Sequence, residues 1–133
     1  MSGEDDLLVI ERVRARIMEM IAREKSVLHR TVRADAGGWE TVSPGIERKQ
    51  LWERGEAASC LLRIAPGTSF PHHNHPIDEE CLVLEGSLRI GDVLLRQGDF
   101  HVGVSGIEHD AVSTDDGCVC FLRTARCFFE PAP

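Results

Sequence analysis

The sequence predicts an all-β domain preceded by one amphipathic helix. Three observations carry this reading. Apolar residues recur at helical spacing only near the start of the chain. After residue 30 they fall into short alternating segments divided by glycine, proline and aspartate. The length, 133 residues, suits a single domain with a short appendage.

The helix is expected over residues 5–25. Leu7, Ile10, Val13, Ile17, Met20 and Ile21 form one stripe. Ser2 stands three residues before Asp5 in the manner of a capping box, and the acids at 4–6 suit the positive end of the helix dipole. Glu19 and Arg23 are spaced to pair along the helix. Such a stripe needs cover, from the body of its own domain, a second subunit or a neighbouring domain. Residues 1–29 are therefore read as a helical appendage and 30–133 as the β domain.

Strands are expected at 30–35, 46–53, 57–65, 71–75, 79–84, 87–91, 92–96, 99–104, 109–114 and 118–124. Gly37-Gly38 and Pro44-Gly45 punctuate the first part, and Gly86 and Gly91-Asp92 look like hairpin turns. Many short strands at this spacing point to a sandwich or barrel.

Composition excludes several functions. Hydrophobic residues make up 42% and charged residues 28%, which argues against disorder. The formal net charge is −7, and the acidic excess lies beyond residue 33, so a phosphate backbone would be repelled and no nucleic acid is expected as a partner. No run of 18 apolar residues occurs, so no membrane span is expected. The start, MSGEDDLL, is not a secretory signal, and cytoplasm is the expected compartment. The five cysteines (Cys60, Cys81, Cys118, Cys120 and Cys127) are odd in number and lack a C-x-x-C pair. They read as small buried hydrophobes in a reducing compartment. Redox sensitivity is a lesser option, since Cys118 and Cys120 would share a strand face and Cys81 lies close to the histidine cluster.

Five of the six histidines lie between residues 72 and 109. His73 and His75 are two apart, which on a strand sends both imidazoles to one face. Asn74 points away and Pro76 favours a turn. On the next strand Glu79, Cys81 and Val83 share a face, so Glu79 can reach the ion that the two histidines would hold. A slip of one residue would put Glu80 there instead. His109, Ala111 and Ser113 share a face of a later segment. Imidazoles with a carboxylate suit zinc, iron, manganese, nickel or copper. His72 should face away from the ion. His101 is flanked by Phe100 and Val102, which look like core, so it should point oppositely, either exposed or at a cavity mouth. Arg63 and Arg123 are candidates for anion binding or solvated strand residues. Trp39 and Trp52 read as packing residues. Leu82 and Leu84 should pack outside the barrel, and Phe128 and Phe129 need cover.

The spacing Gly67-x5-His73-x-His75-x3-Glu79-x6-Gly86 resembles the first signature of the cupin superfamily at every fixed position. Gly98, Gly106 and His109 stand at the places of the second, with Val104 and Ser113 where proline and asparagine are usual. The resemblance implies a cupin jelly-roll barrel, a double-stranded β-helix, behind the N-terminal helix. It also implies four metal ligands: His73, His75, Glu79 and His109. Val32-Arg-Ala-Asp35, Gly38-Trp39-Glu40, Pro44-Gly45-Ile46 and Glu79-Glu80-Cys81-Leu82-Val83-Leu84-Glu85-Gly86 narrow it to the cupin domain of ChrR-type anti-sigma factors. That family implies a regulatory or sensory module with zinc, and iron, manganese or nickel as alternatives. Its sigma-binding zinc domain would need a His/Cys motif before residue 30, where His29 stands alone, so a sigma factor is left out of the expected partners. A homodimer and a small-molecule ligand in the barrel are expected. A metal-dependent dioxygenase or other small oxidoreductase is the alternative, since three imidazoles and one carboxylate leave coordination positions open.

Overall fold

Residues 3–70, 74–108 and 110–126 are described by a computed structural model, without the side chains of 26–28. The chain divides into two units, Met1–Asp35 and Ala36–Pro133.

The first unit holds α1 (Gly3–Leu28), with Glu4, Asp5 and Asp6 in its first turn. The helix is longer than the expected 5–25, by two residues at its start and three at its end. The stripe itself is exposed: Leu7, Ile10, Val13, Ile17, Met20 and Ile21 all lie open along the helix. The Ser2 cap falls outside the described residues. No helix among those described is long and apolar enough to cross a membrane.

The second unit is a mostly-β, curled sheet. Its strands are β1 (Trp39–Ser43), β2 (Ile46–Arg54), β3 (Ala57–Ile64), β4 (Ser69–Phe70), β5 (Glu79–Ile90), β6 (Val93–Arg96), β7 (Phe100–Gly103), β8 (Val112–Ser113) and β9 (Cys118–Ala125). They run β1-β2-β3-β9-β5-β8-β4, with β6 and β7 also pairing to β5. All pairings are antiparallel.

Five strand expectations change, one of them the segment 109–114, which narrows to Val112–Ser113. Residues 30–35 form no strand but an open segment leading into a turn, since no neighbour completes a ladder for their backbone. β1 is an extra strand between the two glycine-containing turns. It was hidden because an edge strand, paired only to β2, stays half exposed and shows no clean alternation. In the region expected as 71–75, the described pairing is one step earlier, at β4; residues 71–73 lie outside the described set.

The fifth change concerns Gly86. It is not a hairpin turn but a bend within the 12-residue β5. Before it, β5 pairs with β7 and β9; after it, with β6 and β8. A bulge between Val83 and Glu85 adds to the bend. Gly86 has φ +73, and a Cβ there would sit 2.1 Å from the carbonyl oxygen of Gly117, so no larger residue fits. One strand thus serves two walls of the curled sheet. Gly91-Asp92 is the tight turn expected, joining the paired Ile90 and Val93.

Alternation decides the core. On β3, Ala58, Cys60, Leu62 and Ile64 point inward; on β9, Cys118, Cys120, Leu122 and Thr124; on β5, Glu79, Cys81 and Val83. Directly paired residues project to the same side of a sheet. The pairings therefore join these side chains into cross-strand rows, of which Arg48–Leu62–Cys120–Val83 is one. The inward rows close onto Leu88, Ile90, Leu95 and Val112 from the strands beyond the bend.

Candidate metal centre

β5 brings Glu79 to the inner face at its first residue, and the turn before it brings His75 alongside. Both are buried, at 2% exposure for His75 and 7% for Glu79. Nδ1 of His75 lies 3.3 Å from Oε2 of Glu79. Thr124, also buried, donates its hydroxyl to the same Oε2 at 2.7 Å. A carboxylate in a core is costly unless donors hold it, and the Thr124 hydroxyl is one such donor.

The backbone of the histidine turn is fastened from two sides. The amide of His75 donates to Oδ1 of Asn74 at 2.9 Å. From the loop after β7, the Ser105 hydroxyl donates to the Pro76 carbonyl at 2.9 Å and the Gly106 amide donates to the His75 carbonyl at 3.2 Å. The Ser105 amide donates to Oδ1 of Asp78 at 2.8 Å. A loop about 30 residues later in the chain thus holds the turn that presents His75.

Of the four ligands expected, the structure brings His75 and Glu79 together. His73 and His109 lie outside the described residues. Among the described residues no group of three or more His, Cys, Asp or Glu is placed to hold a metal ion. The pair itself fits one. Two donors each about 2.1 Å from a shared ion stand roughly 3.0–3.5 Å apart at the angles metal sites use. The observed 3.3 Å lies in that interval. Nitrogen and oxygen donors suit zinc, iron, manganese or nickel rather than a soft thiolate-seeking ion.

Parity along β5 is as expected. Glu80 faces outward, its carboxylate 3.8 Å from Arg123, so the one-residue slip does not occur. His101 corrects an expectation. Phe100 and Val102 are not core; they are 57% and 46% exposed. The register Cys81↔His101 puts the imidazole on the same face as Cys81, half-buried, at the side of the inner face toward β7. The reading failed because it took apolar residues to mark the inner face, whereas here they cover the outer one. His72 lies outside the described residues.

Arg63 and Arg123 both face outward. Arg63 is 3.6 Å from Glu47 and stacks on Trp39 at 3.9 Å, so Trp39 packs as expected, though with a cation as its partner. The inward arginine, unrecognised in the sequence, is Arg48. Thr124 was also missed, although its parity with Cys118, Cys120 and Leu122 would have placed it inside.

Cys60, Cys81, Cys118 and Cys120 are buried and free; Cys127, Phe128 and Phe129 lie outside the described residues. Burial pushes the Cys60 thiol up to about 11, opposed by the positive charge of Arg48. The Cys120 thiol shares hydrogen bonds with Cys118 and Cys81, which raise it well above the ordinary thiol value, while the same bond lowers Cys118. A cavity of about 20 Å³, the space open to the centre of a water molecule, lies between Glu79, Cys81, Cys120, Leu62, Leu122 and Val112. That is room for about one water.

The family model described as the ChrR cupin-like domain matches residues 28–127. The structure of Rhodobacter sphaeroides SigE in complex with the anti-sigma ChrR matches at 23% identity and TM-score 0.62, over 89% of this chain and 83% of that one. KdgF from Halomonas sp. matches at 24% identity and TM-score 0.64, over 74% and 94%. An acetylacetone dioxygenase from Acinetobacter johnsonii matches at 13% identity and TM-score 0.66, over 73% and 74%. These likenesses show the fold. No curated protein matches.

Proposed function

The chain belongs to the ChrR cupin-like family, and from that premise we propose that it is a regulatory or sensory metal-binding module. In this reading His73, His75, Glu79 and His109 hold one divalent ion, with zinc favoured over iron, manganese or nickel. The observation that carries the reading is the buried His75–Glu79 pair at 3.3 Å, with Thr124 fixing the carboxylate. When bound, the ion supplies a Lewis-acidic centre with open positions for a small ligand. His75 and Glu79 contribute nitrogen and oxygen donors, and Thr124 orients the carboxylate toward the imidazole.

The inner face is poor in groups that move protons. Beside the proposed ligands it carries mainly thiols and aliphatic side chains, which supports sensing over turnover. The thiols suit a module that responds to oxidants or to a small molecule. The homodimer expected from the sequence belongs to this proposal, and the exposed Phe100, Val102 and Leu84 support it.

One observation favours a second reading, a metal-dependent dioxygenase or other small oxidoreductase: His101 is on the inner face and is the acid/base candidate there. Elemental analysis of protein purified without added metal, followed by oxygen-uptake assays after iron(II) loading, separates the two. The sensory reading expects about one zinc per chain and no oxygen consumption. Iron with oxygen uptake would replace it by the enzyme, and a chain that retains no metal would overturn both.

A further inference from the structure

We propose that α1 pairs with α1 of a second copy of this chain, antiparallel and aligned end to end. The helix has 26 residues, or about 39 Å of length, and its apolar side chains lie open along it. Leu7, Ile10, Ile17 and Ile21 are between 41% and 62% exposed. With Arg14 and Glu24 they follow one another at alternating steps of three and four residues, the spacing of a seam that stays in register along a paired helix. A helix of this kind is marginal in water by itself and takes its stability from whatever covers the seam.

The charges say what covers it. The helix is acidic in its first turn, at Glu4, Asp5 and Asp6, and basic in its last, at Lys25. In an antiparallel pair aligned end to end, Gly3 stands opposite Leu28 of the second copy and each seam position meets a different one. Ile10 falls opposite Ile21, Arg14 opposite Ile17 and Leu7 opposite Glu24. Each polar residue of the seam thus meets an apolar one, along which its stem lies while its charge reaches water at the edge. Beside the seam, Val13 falls next to Met20 of the second copy on one side, and Glu4 next to Lys25 on the other. The two-fold axis makes every one of these contacts twice.

A parallel pair loses this fit. Arg14 would meet Arg14, Glu24 would meet Glu24, and Asp6 would lie beside Glu11 of the second copy. Like charges at that range repel as strongly as opposite ones attract. Within one chain Glu4 and Lys25 stand at opposite ends of the helix, about 31 Å apart, and form no pair. The charge pattern is complementary to its own reverse, which is the mark of a second copy. This surface is separate from Phe100, Val102 and Leu84, and the pairing does not rest on the metal-binding reading.

The test is analytical ultracentrifugation of the whole chain at low ionic strength, with metal content measured in the same samples. Wild type is expected to self-associate with a Kd in the micromolar range or tighter. I17E, which sets a charge at the middle of the seam, should halve the mass of the assembly at the same concentration. E4K should weaken association by up to about tenfold, since it turns two attractions into two repulsions, and K25E should do the same. The double variant E4K/K25E should return to within about twofold of wild type, because opposite charges face each other again. Added salt should shrink the loss in each single variant.

Recovery in the double variant is what neither a parallel pair nor a helix folded onto its own β domain would produce. A wild type that stays monomeric well above micromolar concentration overturns the proposal, whatever then covers the stripe. So does an assembly whose mass is unchanged by I17E, or a double variant no better than the single ones. Should I17E fail to fold, the charge variants, at exposed positions, still decide it. Loss of metal in H75A with association intact would count against the metal centre alone.

Discussion

The two faces of the β2–β3–β9–β5 wall are built from the same strands, residue by alternate residue, and handle charge in opposite ways. On the inner face the pair at the head of β5 is buried and held at short range. Glu79 is flanked by His75 and Thr124 at 3.3 and 2.7 Å. On the outer face Arg63–Glu47 and Arg123–Glu80 are spaced at 3.6 and 3.8 Å, with each side chain near half exposed. The lesson is that a charge pair on a strand has no fixed worth. A solvated pair trades one set of hydrogen bonds for another at little net gain, whereas a buried group that loses its partner keeps its full desolvation cost.

The largest break in this comparison should come from His75→Ala. It is expected to lose the bound metal and, with it, about 4 kcal/mol of ligand-linked stability at metal concentrations near a thousand times Kd. Metal analysis and thermal melts with and without added zinc measure this; full metal content in the variant would remove His75 from the site. Leu62→Ala, on the inner row next to Arg48, should cost about 3–5 kcal/mol by transfer and cavity terms, read from urea unfolding.

A subtler cut is Thr124→Val, which keeps the shape but removes the donor to Glu79. We expect a loss of about 1.5–3 kcal/mol and weaker metal retention in competition with a chelator. If unfolding and metal competition both match wild type, the hydroxyl does not position the carboxylate.

The thiols give a pH test of the same face. The Cys60 pKa is raised from 9.0 to about 11, chiefly by burial. The folded state then holds its proton more tightly than the unfolded chain. The contribution is complete below pH 9 and is lost as pH rises through 9 toward 11, to the extent of about 2–3 kcal/mol. Cys60→Ala should flatten that alkaline fall in urea-unfolding stability; an unchanged slope would place its origin elsewhere. Smallest of all is Arg123→Ala on the outer face, expected to change stability by less than about 1 kcal/mol, and by less still in high salt. A larger loss would mean that this face is covered in solution.

How far the molecule could be read in advance varied with the kind of signal. Glu79, Cys81 and Val83 were placed correctly because β5 has strict period two and a buried inner side. His101 was misplaced because the rule that apolar residues point inward fails where the outer face is itself apolar, as Phe100 and Val102 show. Gly86 was misread because a glycine between two apolar runs looks the same whether the chain turns back or bends and continues. The close approach of Gly117, 31 residues later in the chain, decides between them. Arg48 was invisible because all charged residues on a strand look solvated until the pairing shows which side each one faces.

Local chemistry therefore determined most of the strand segments, the parity along β5 and β9, the glycine-histidine-glutamate spacing and the family to which it belongs. Those features depend on neighbours along the chain, through backbone sterics and the two-residue repeat of side chains. Tertiary structure alone decided which face of β7 looks inward, which arginine reaches the core side, and that a threonine on the last strand bonds to a glutamate 45 residues before it. Those outcomes depend on register between strands, and register is set by how the whole sheet buries its surface, which no single segment encodes.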